Sequence, residues 1–519
     1  MWIEIILTTK EHIHMSFITY EAKGRYEYAT LCKSTRNGKN VGKEYTNLGR
    51  VIDKEKLIFK SRKHGIYRFD PKTISFLPVD ASVILPDDRP VSRERLIVDF
   101  GDSYILDRFM EQEGFFKVMD SISYGNPDTL YAMVQYYILC SMANCHAQTW
   151  WEGNYVQFLY PRANLVSQRI SEFLTAIGNE ECYRNFFKAY IPYISEGAAK
   201  GSNILIDSTG LPNSIHFPLT AISNHNGDIS NEVRLIYVTQ QQTGYPIYMR
   251  YCPGNVIDMS TLTRTISELK ESGLNTKFAI LDAGYYDENS IRELYDAKIS
   301  FLCRMKSNRK LYKKLIAEVL PSIETPDKLV EFNGRYVYID CVPCELVPGH
   351  SAYAYVGLDI MRKNSETQKL FKRAKADGLS VAEVHKSMST EGSFILVSSR
   401  KIARDKILPH YYTRQQIEQV FDVGKNYANM LPLRTQTEDT FRGHLLLTFM
   451  ATAIVHRLQE RLKGSSYNPF SMFLTMRNQK CKVYDNKAIT AEAFKKANDC
   501  YKLLGVECPT EIPLDLIEF

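Results

Sequence analysis

Asn203-Ile-Leu-Ile-Asp207 and Lys277-Phe-Ala-Ile-Leu-Asp282 are two short apolar runs, each ending on an aspartate. Runs of this length and composition, bounded by polar residues, read as buried strands. Residues 232–238 and 245–251 give two more strands across a Thr243-Gly244 turn, and Ser300-Phe-Leu-Cys-Arg304 gives a fifth. Helices are predicted over 258–272, with Asp258 as N-cap, and over 287–297. The order strand, hairpin, helix, strand, helix, strand predicts an α/β domain on a mixed sheet. Two carboxylates, Asp207 and Asp282, leave the ends of two of its strands.

Downstream, residues 312–392 interrupt that layout. Lys328-Leu-Val-Glu-Phe, Arg335-Tyr-Val-Tyr-Ile-Asp340 and Ala352-Tyr-Ala-Tyr-Val-Gly357 alternate with period two, and the basic stretch Lys369-Leu-Phe-Lys-Arg-Ala-Lys375 follows. These residues are expected to form an inserted, mostly β subdomain. Gly392-Ser-Phe-Ile-Leu-Val-Ser398 returns to the main sheet, and a long helix begins at Tyr411. The two parts of the core are therefore 201–311 and 393–445, with 446–519 a helical C-terminal region suited to dimerisation.

Upstream, residues 91–200 carry helical patterns: an apolar helix over 128–151 and the amphipathic Asn164-Leu-Val-Ser-Gln-Arg-Ile-Ser-Glu-Phe-Leu174, open to a helix-turn-helix reading. Residues 1–85 read as strands, and Pro86 and Pro90 mark a linker. Residues 1–80 hold fifteen Lys and Arg against nine Asp and Glu, a surplus of six that equals the net charge of the whole chain. The surplus is densest where Lys54, Lys56, Lys60, Arg62 and Lys63 interleave with Phe59 and Tyr67, a mixture suited to phosphate contact. These residues predict a basic, β-rich DNA-binding module, with the helical domain as a second candidate for DNA reading.

The chain has 519 residues, with 44% hydrophobic and 24% charged. That composition excludes a disordered tail, a collagen-like fibre and a small secreted module. At about 150 residues per domain, three to four domains are expected. The apolar run from Leu445 to Val455 falls short of the ~18 residues that span a bilayer, and no secretory signal opens the sequence. A cytoplasmic protein without a membrane segment is expected. The eleven cysteines are then reduced thiols, Cys341 and Cys344 of the lone CxxC among them. His225 and His410 lie near the proposed site in sequence and read as surface or packing residues.

At about 100° per residue, Tyr411, Arg414, Glu418 and Lys425 fall within an arc of about 60° on one helix. Ile417, Val420 and Phe421 take another face for packing. A hydroxyl, two cations and a carboxylate on one stripe form either a surface row of charge pairs or one wall of a site. Glu418 beside Asp207 and Asp282 would complete an oxygen-rich pocket. Carboxylates this close repel, and hard divalent cations relieve that repulsion. Mg²⁺, two ions with Mn²⁺ as a substitute, would suit phosphoryl transfer. Arg414, Lys425 and the Tyr411 hydroxyl would then hold flanking phosphates.

The spacing Tyr411-x2-Arg414-x3-Glu418-x6-Lys425 resembles the Y-(2)-R-(3)-E-(6)-K signature of IS4-type bacterial DDE transposases. Four residues fixed at about one in twenty each arise by chance in ~500 windows about three times in a thousand. Leu205-Ile-Asp207-Ser-Thr-Gly210 resembles that family's first-Asp strand, and Ile280-Leu-Asp282-Ala-Gly-Tyr285 its second. Gly244-Tyr-Pro through Pro253-Gly-Asn255 to Asp258 is similar to the segment between them. The likeness covers about 200–450 and is closest to the IS1634-like branch. It implies an RNase H-like core with Asp207, Asp282 and Glu418 as catalytic, metal-binding triad. The implied activity is cut-and-paste transposition: binding of terminal inverted repeats, cleavage, and joining of the 3′-hydroxyl to target DNA by a homodimer on double-stranded DNA. Relatives that pass through a hairpin use an insertion aromatic, often Trp. Here the tryptophans are Trp2, Trp150 and Trp151, so Tyr336, Tyr338, Tyr353 or Phe371 would have to serve. A catalytically silent DNA-binding regulator and an RNase H-fold nuclease without strand transfer are the alternatives.

Overall fold

The computed structural model describes residues 4–9, 12–23, 26–37, 40–79, 94–195, 203–213, 217, 219–223, 229–256, 261–484 and 486–514. The chain divides into two compact units, Met1–Arg93 and Glu94–Phe519. The expected linker prolines Pro86 and Pro90, together with Asp258, His225 and Trp2, lie outside the described residues.

The first unit is an antiparallel meander. Its strands are β1 (Glu4–Thr9), β2 (His12–Lys23), β3 (Tyr26–Asn37), β4 (Asn40–Asp53), β5 (Ile58–Ser61), β6 (Gly65–Asp70) and β7 (Ser75–Pro78), hydrogen-bonded in sequence order. Period-two alternation buries Ile18, Ala29, Leu31, Phe59, Tyr67 and Phe69 on one face. The Tyr67 hydroxyl, buried with them, donates to the Leu48 carbonyl at 2.6 Å.

The second unit opens with β8 (Leu96–Asp99) and seven helices, α1 (Gly101–Gln112), α2 (Phe115–Met119), α3 (Pro127–Leu139), α4 (Ala147–Glu152), α5 (Val156–Leu159), α6 (Ser167–Ile177) and α7 (Glu180–Ser195). The single helix expected over 128–151 is instead two, because Cys140 turns extended and Arg477 takes the Leu139 carbonyl as its partner. No Gly or Pro stands at that break, so periodicity alone runs through it. In α6, Ile170, Phe173, Leu174 and Ile177 are buried while Arg169 and Glu172 pair in solvent.

The central sheet follows. Its strands are β9 (Asn203–Pro212), β10 (Ala221–Ser223), β11 (Ser230–Gln240) and β12 (Pro246–Pro253), then α8 (Leu262–Glu271), β13 (Phe278–Leu281), α9 (Glu288–Asp296) and β14 (Ser300–Arg304). The order β12-β11-β9-β13-β14 has β11 as its one antiparallel member. β9 does not stop at Asp207 as expected. Six β11 residues from Glu232 to Tyr237 keep pairing it out to Pro212.

Beyond α10 (Lys310–Val319) come β15 (Leu329–Phe332), β16 (Arg335–Val347), β17 (His350–Asp359), α11 (Ile360–Asp377), α12 (Val381–Met388) and β18 (Ser393–Ser398). Two features differ from the expected mostly β subdomain. Its strands add to the same sheet, because β18 pairs both β14 and β17. Its second half is helical, with α11 running eighteen residues through the basic stretch.

The helix expected from Tyr411 is also two, α13 (Arg404–Tyr412) and α14 (Gln415–Tyr427). Between them the backbone tightens to three-residue turns, with Arg414 N–H on Tyr411, Gln416 on Thr413 and Ile417 on Arg414. The Thr413 hydroxyl competes there for the His410 carbonyl at 2.7 Å. α15 (Glu438–Arg461) then buries Leu445 through Val455 against α3, α6 and the sheet. Among the described residues no helix is long and apolar enough to cross a membrane. The C-terminal region is not only helical. After α16 (Pro469–Arg477), β19 (Lys480–Val483) pairs with β8 and β20 (Lys487–Thr490) with β19, and α17 (Lys495–Leu504) precedes β21 (Glu511–Pro513), which pairs β20 in the same sheet.

Candidate active site

Strand register brings the two aspartates together. β9 and β13 run parallel with Ile206 beside Leu281, so the next residues, Asp207 still within β9 and Asp282 just past β13, stand side by side. α14 lies over β9 and β11. It buries Ile417, Val420 and Phe421 downward and turns Arg414, Glu418 and Lys425 toward the same end of the sheet.

Arg414 is the hub. Its Nη1 donates to Asp207 Oδ2 at 2.6 Å and lies 3.7 Å from Asp282 Oδ2, and its Nη2 lies 3.7 Å from Glu418 Oε1. Three carboxylates from two strands and a helix thus meet on one guanidinium. Their side chains grade from cleft floor to mouth, 14% exposed for Asp207, 36% for Asp282 and 59% for Glu418. Burial works against the Arg414 charge, yet the neighbouring Asp282 and Asp207 carboxylates hold its pKa above the ordinary value. The Tyr411 hydroxyl donates to Asp282 Oδ1 at 3.2 Å. Burial, with Asp282 adding to it, pushes that phenol far up, so it stays a protonated donor. Below Asp282, the buried Cys303 thiol donates to its carbonyl at 3.4 Å.

Lys425 stands apart from the carboxylates. Its Nζ donates to the Thr209 hydroxyl at 2.6 Å and to the Gly210 carbonyl at 3.1 Å. Burial pulls its pKa below the usual lysine range, and Glu232 opposes that pull. Glu232, 2% exposed, sits on β11 across from this part of β9, 3.7 Å from Arg234. A Cβ on Gly210 would stand 1.9 Å from Glu232 Oε2, so only glycine admits the carboxylate here.

Thr209, Gly210 and Glu232 are site neighbours to which sequence reasoning gave no role. Thr209 and Gly210 belong to the quoted Asp207 segment, but their duty depends on the helix above. Glu232 opens a strand whose later residues are nearly all buried, a weak signal of a charge held for a reason.

The donor set fits a hard divalent cation in its chemistry, three carboxylates and no soft ligand. Among the described residues no three His, Cys, Asp or Glu side chains are grouped as metal ligands. The carboxylates converge on Arg414 instead of on one another. His410 is half-buried and held below its ordinary pKa by burial, then by Arg400 and Lys406. Cys341 and Cys344 are free thiols that burial pushes up. Tyr336 and Phe371 are exposed, Tyr338 and Tyr353 partly buried, and Trp150 packs edge-on to Tyr136. Within the first unit, Lys54 pairs with Glu27 at 2.8 Å and lies over the Tyr20 ring, and Lys56 lies 3.8 Å from Asp53. Lys60, Arg62 and Lys63 are exposed.

Comparison with known proteins adds the following. Residues 199–454 match the family model described as a transposase DDE domain, which supports a DDE transposase family. No curated protein matches the chain. A solved structure, a piggyBac transposase synaptic complex with hairpin DNA, aligns at 11% identity over 78% of this chain and 70% of that one, with a TM-score of 0.35.

Proposed function

We propose, from a chain whose residues 199–454 match a transposase DDE domain, that this protein is a cut-and-paste DNA transposase of the IS4 type with an RNase H-like core. In this reading it binds the terminal inverted repeats of an insertion sequence, cleaves DNA at the element ends and joins the 3′-hydroxyl to target DNA, as two copies on paired ends. The observation that carries the reading is the convergence of Asp207, Asp282 and Glu418 on Arg414. Strand order supports the core assignment, since in the run β12-β11-β9-β13-β14 only β11 is antiparallel to the others.

Asp207, Asp282 and Glu418 would hold the divalent cations, Mg²⁺ or Mn²⁺ in its place. Bound there, two such ions activate water or a 3′-hydroxyl and stabilise the leaving oxygen of an in-line displacement. The chain's own residues do the rest. Tyr411, fixed as a donor, orients the Asp282 carboxylate. Lys425 presents a charge from a half-buried position, where a phosphate oxygen is bound more strongly than at an open surface. Arg414 keeps the three carboxylates together before DNA arrives. The basic residues Lys54, Lys56, Lys60, Arg62 and Lys63 of the first unit are the proposed contact to the ends.

The test is cleavage of duplex DNA carrying the element's own ends, in Mg²⁺, by wild type against Asp282→Ala and Glu418→Ala. Wild type should cut, and both variants should bind but leave the DNA whole. A wild type that binds without cutting in either Mg²⁺ or Mn²⁺ sinks the enzyme reading. The Arg414 bridge favours one alternative, a silent DNA-binding regulator whose carboxylates are neutralised by protein alone. A cleaving protein that never joins strands would instead be a nuclease.

A further inference from the structure

α11 is built unlike the other exposed helices of this chain. Of its eighteen residues, Leu370 alone is buried. Lys369, Lys372, Arg373 and Lys375 are all exposed. Several helical cations elsewhere meet a carboxylate one turn away, as Arg169 does Glu172, Arg184 Glu180, Arg264 Glu268 and Lys314 Glu318, although Lys495, Lys496 and Lys502 of α17 form no ion pair among the described residues. Among the described residues Lys369, Lys372, Arg373 and Lys375 form no ion pair. A surface kept for solubility mixes both signs, whereas this one concentrates a single sign.

The helix is nonetheless fixed. Asp359 caps its start, accepting from Arg362 N–H at 2.9 Å, and Gly378 closes its end at φ +67°. Arg362 pairs with Glu366 at 2.6 Å, and the same carboxylate accepts from Gly392 N–H at 2.7 Å, tying the helix to β18. An eighteen-residue helix with so little burial is marginal unless held in this way. Its first turn also walls a cavity of about 1220 Å³ whose lining runs from Arg362 and Lys363 through Lys313 to Lys306, Arg304 and Ala283. Ala283 follows Asp282, so α11 starts at a cavity that reaches the cleft, and its unpaired cations lie further along the helix, outside the cavity lining.

We propose that α11 is a DNA-backbone contact surface, holding the duplex where it continues past the scissile phosphate. The proposal rests on the transposase reading above and adds to it a partner for a stretch which that reading leaves idle. Several exposed cations along one helix can meet successive phosphates of a duplex, and each neutralised phosphate releases counterions.

The experiment measures binding of the full-length protein to a fluorescent duplex across a salt series. Wild type is compared with the four-alanine variant Lys369→Ala, Lys372→Ala, Arg373→Ala, Lys375→Ala, and with Lys372→Glu alone. The four-alanine variant should flatten the plot of log affinity against log salt by about three to four units. Lys372→Glu should weaken binding in the same direction by less. All four side chains are exposed, so unfolding temperature should not move. A wild type that binds no duplex overturns the transposase reading and this proposal together. A wild type that binds and cuts, with an unchanged slope in the four-alanine variant, overturns the assignment of α11 alone.

Discussion

Arg414 and Lys425 sit at opposite ends of α14, both substantially buried and both pointing at β9, yet their surroundings are opposite. Arg414 faces three carboxylates within 3.7 Å, and its charge is held in place. Lys425 faces a hydroxyl and a carbonyl, with a carboxylate only in the next strand, and its charge is loosened by burial. A cation whose charge is already cancelled has little left for a substrate anion. One solvated only by neutral oxygens keeps most of its field for the next negative group to arrive. The site thus separates a structural cation from a binding one by neighbours, not by residue type.

The largest effect is expected from removing the first of them. Arg414→Ala leaves Asp207, Asp282 and Glu418 facing one another without their shared cation. Without divalent ions, thermal unfolding should report a loss of about 1–3 kcal/mol, the scale of a partly buried pair broken on one side. Added Mg²⁺ should recover much of that loss, and raise the variant more than it raises wild type, since in wild type the ion competes with a guanidinium. Equal shifts in both proteins would mean that the carboxylates do not act as one cation site.

A smaller effect is expected at Lys425, and it should appear as pH dependence. A lysine is charged below its pKa, so a lowered value means that charge is lost as pH rises, earlier than for an exposed lysine. DNA binding and cleavage should therefore weaken on the alkaline side, below the usual lysine range. Lys425→Arg, charged throughout, should lift that limb, while Lys425→Met should flatten it at a low level. If wild type and Lys425→Arg share one profile across the alkaline range, Lys425 is not the group that fades.

How much of this could be read beforehand follows from which forces set each part. Asp207 and Asp282 were legible because each ends a short apolar run, although what sets them side by side is the long-range parallel pairing of β9 with β13. The four residues from Tyr411 to Lys425 were legible as a stripe, although the backbone carrying them is two helices. Helical periodicity barely registers a tightened turn, and nothing but Thr413 marks it. The helical half of 312–392 was missed because α11 lacks the apolar stripe by which a helix is recognised, having only Leu370 to bury. Glu232 was missed for the converse reason. Its role comes from β11 register and from a glycine three places past Asp207, neither of which a local pattern carries.

Glu232 offers the finest test of the contrast between the two cations. Its carboxylate is buried against Gly210, close to Arg234, and among the described residues it is the charge that works to keep Lys425 protonated. Glu232→Gln keeps the shape and one acceptor oxygen while deleting the charge, so the fold should survive at a cost of about 1–3 kcal/mol. The alkaline limb of DNA binding should then move to lower pH, because burial acts on Lys425 unopposed. In a Lys425→Arg background the same substitution should leave the limb where it is, since a guanidinium stays charged with or without Glu232. The unfolding cost would persist in that background, because it arises from Arg234. A limb that moves equally in both backgrounds would place the titrating group elsewhere, and Lys425 would then share the character of Arg414 after all.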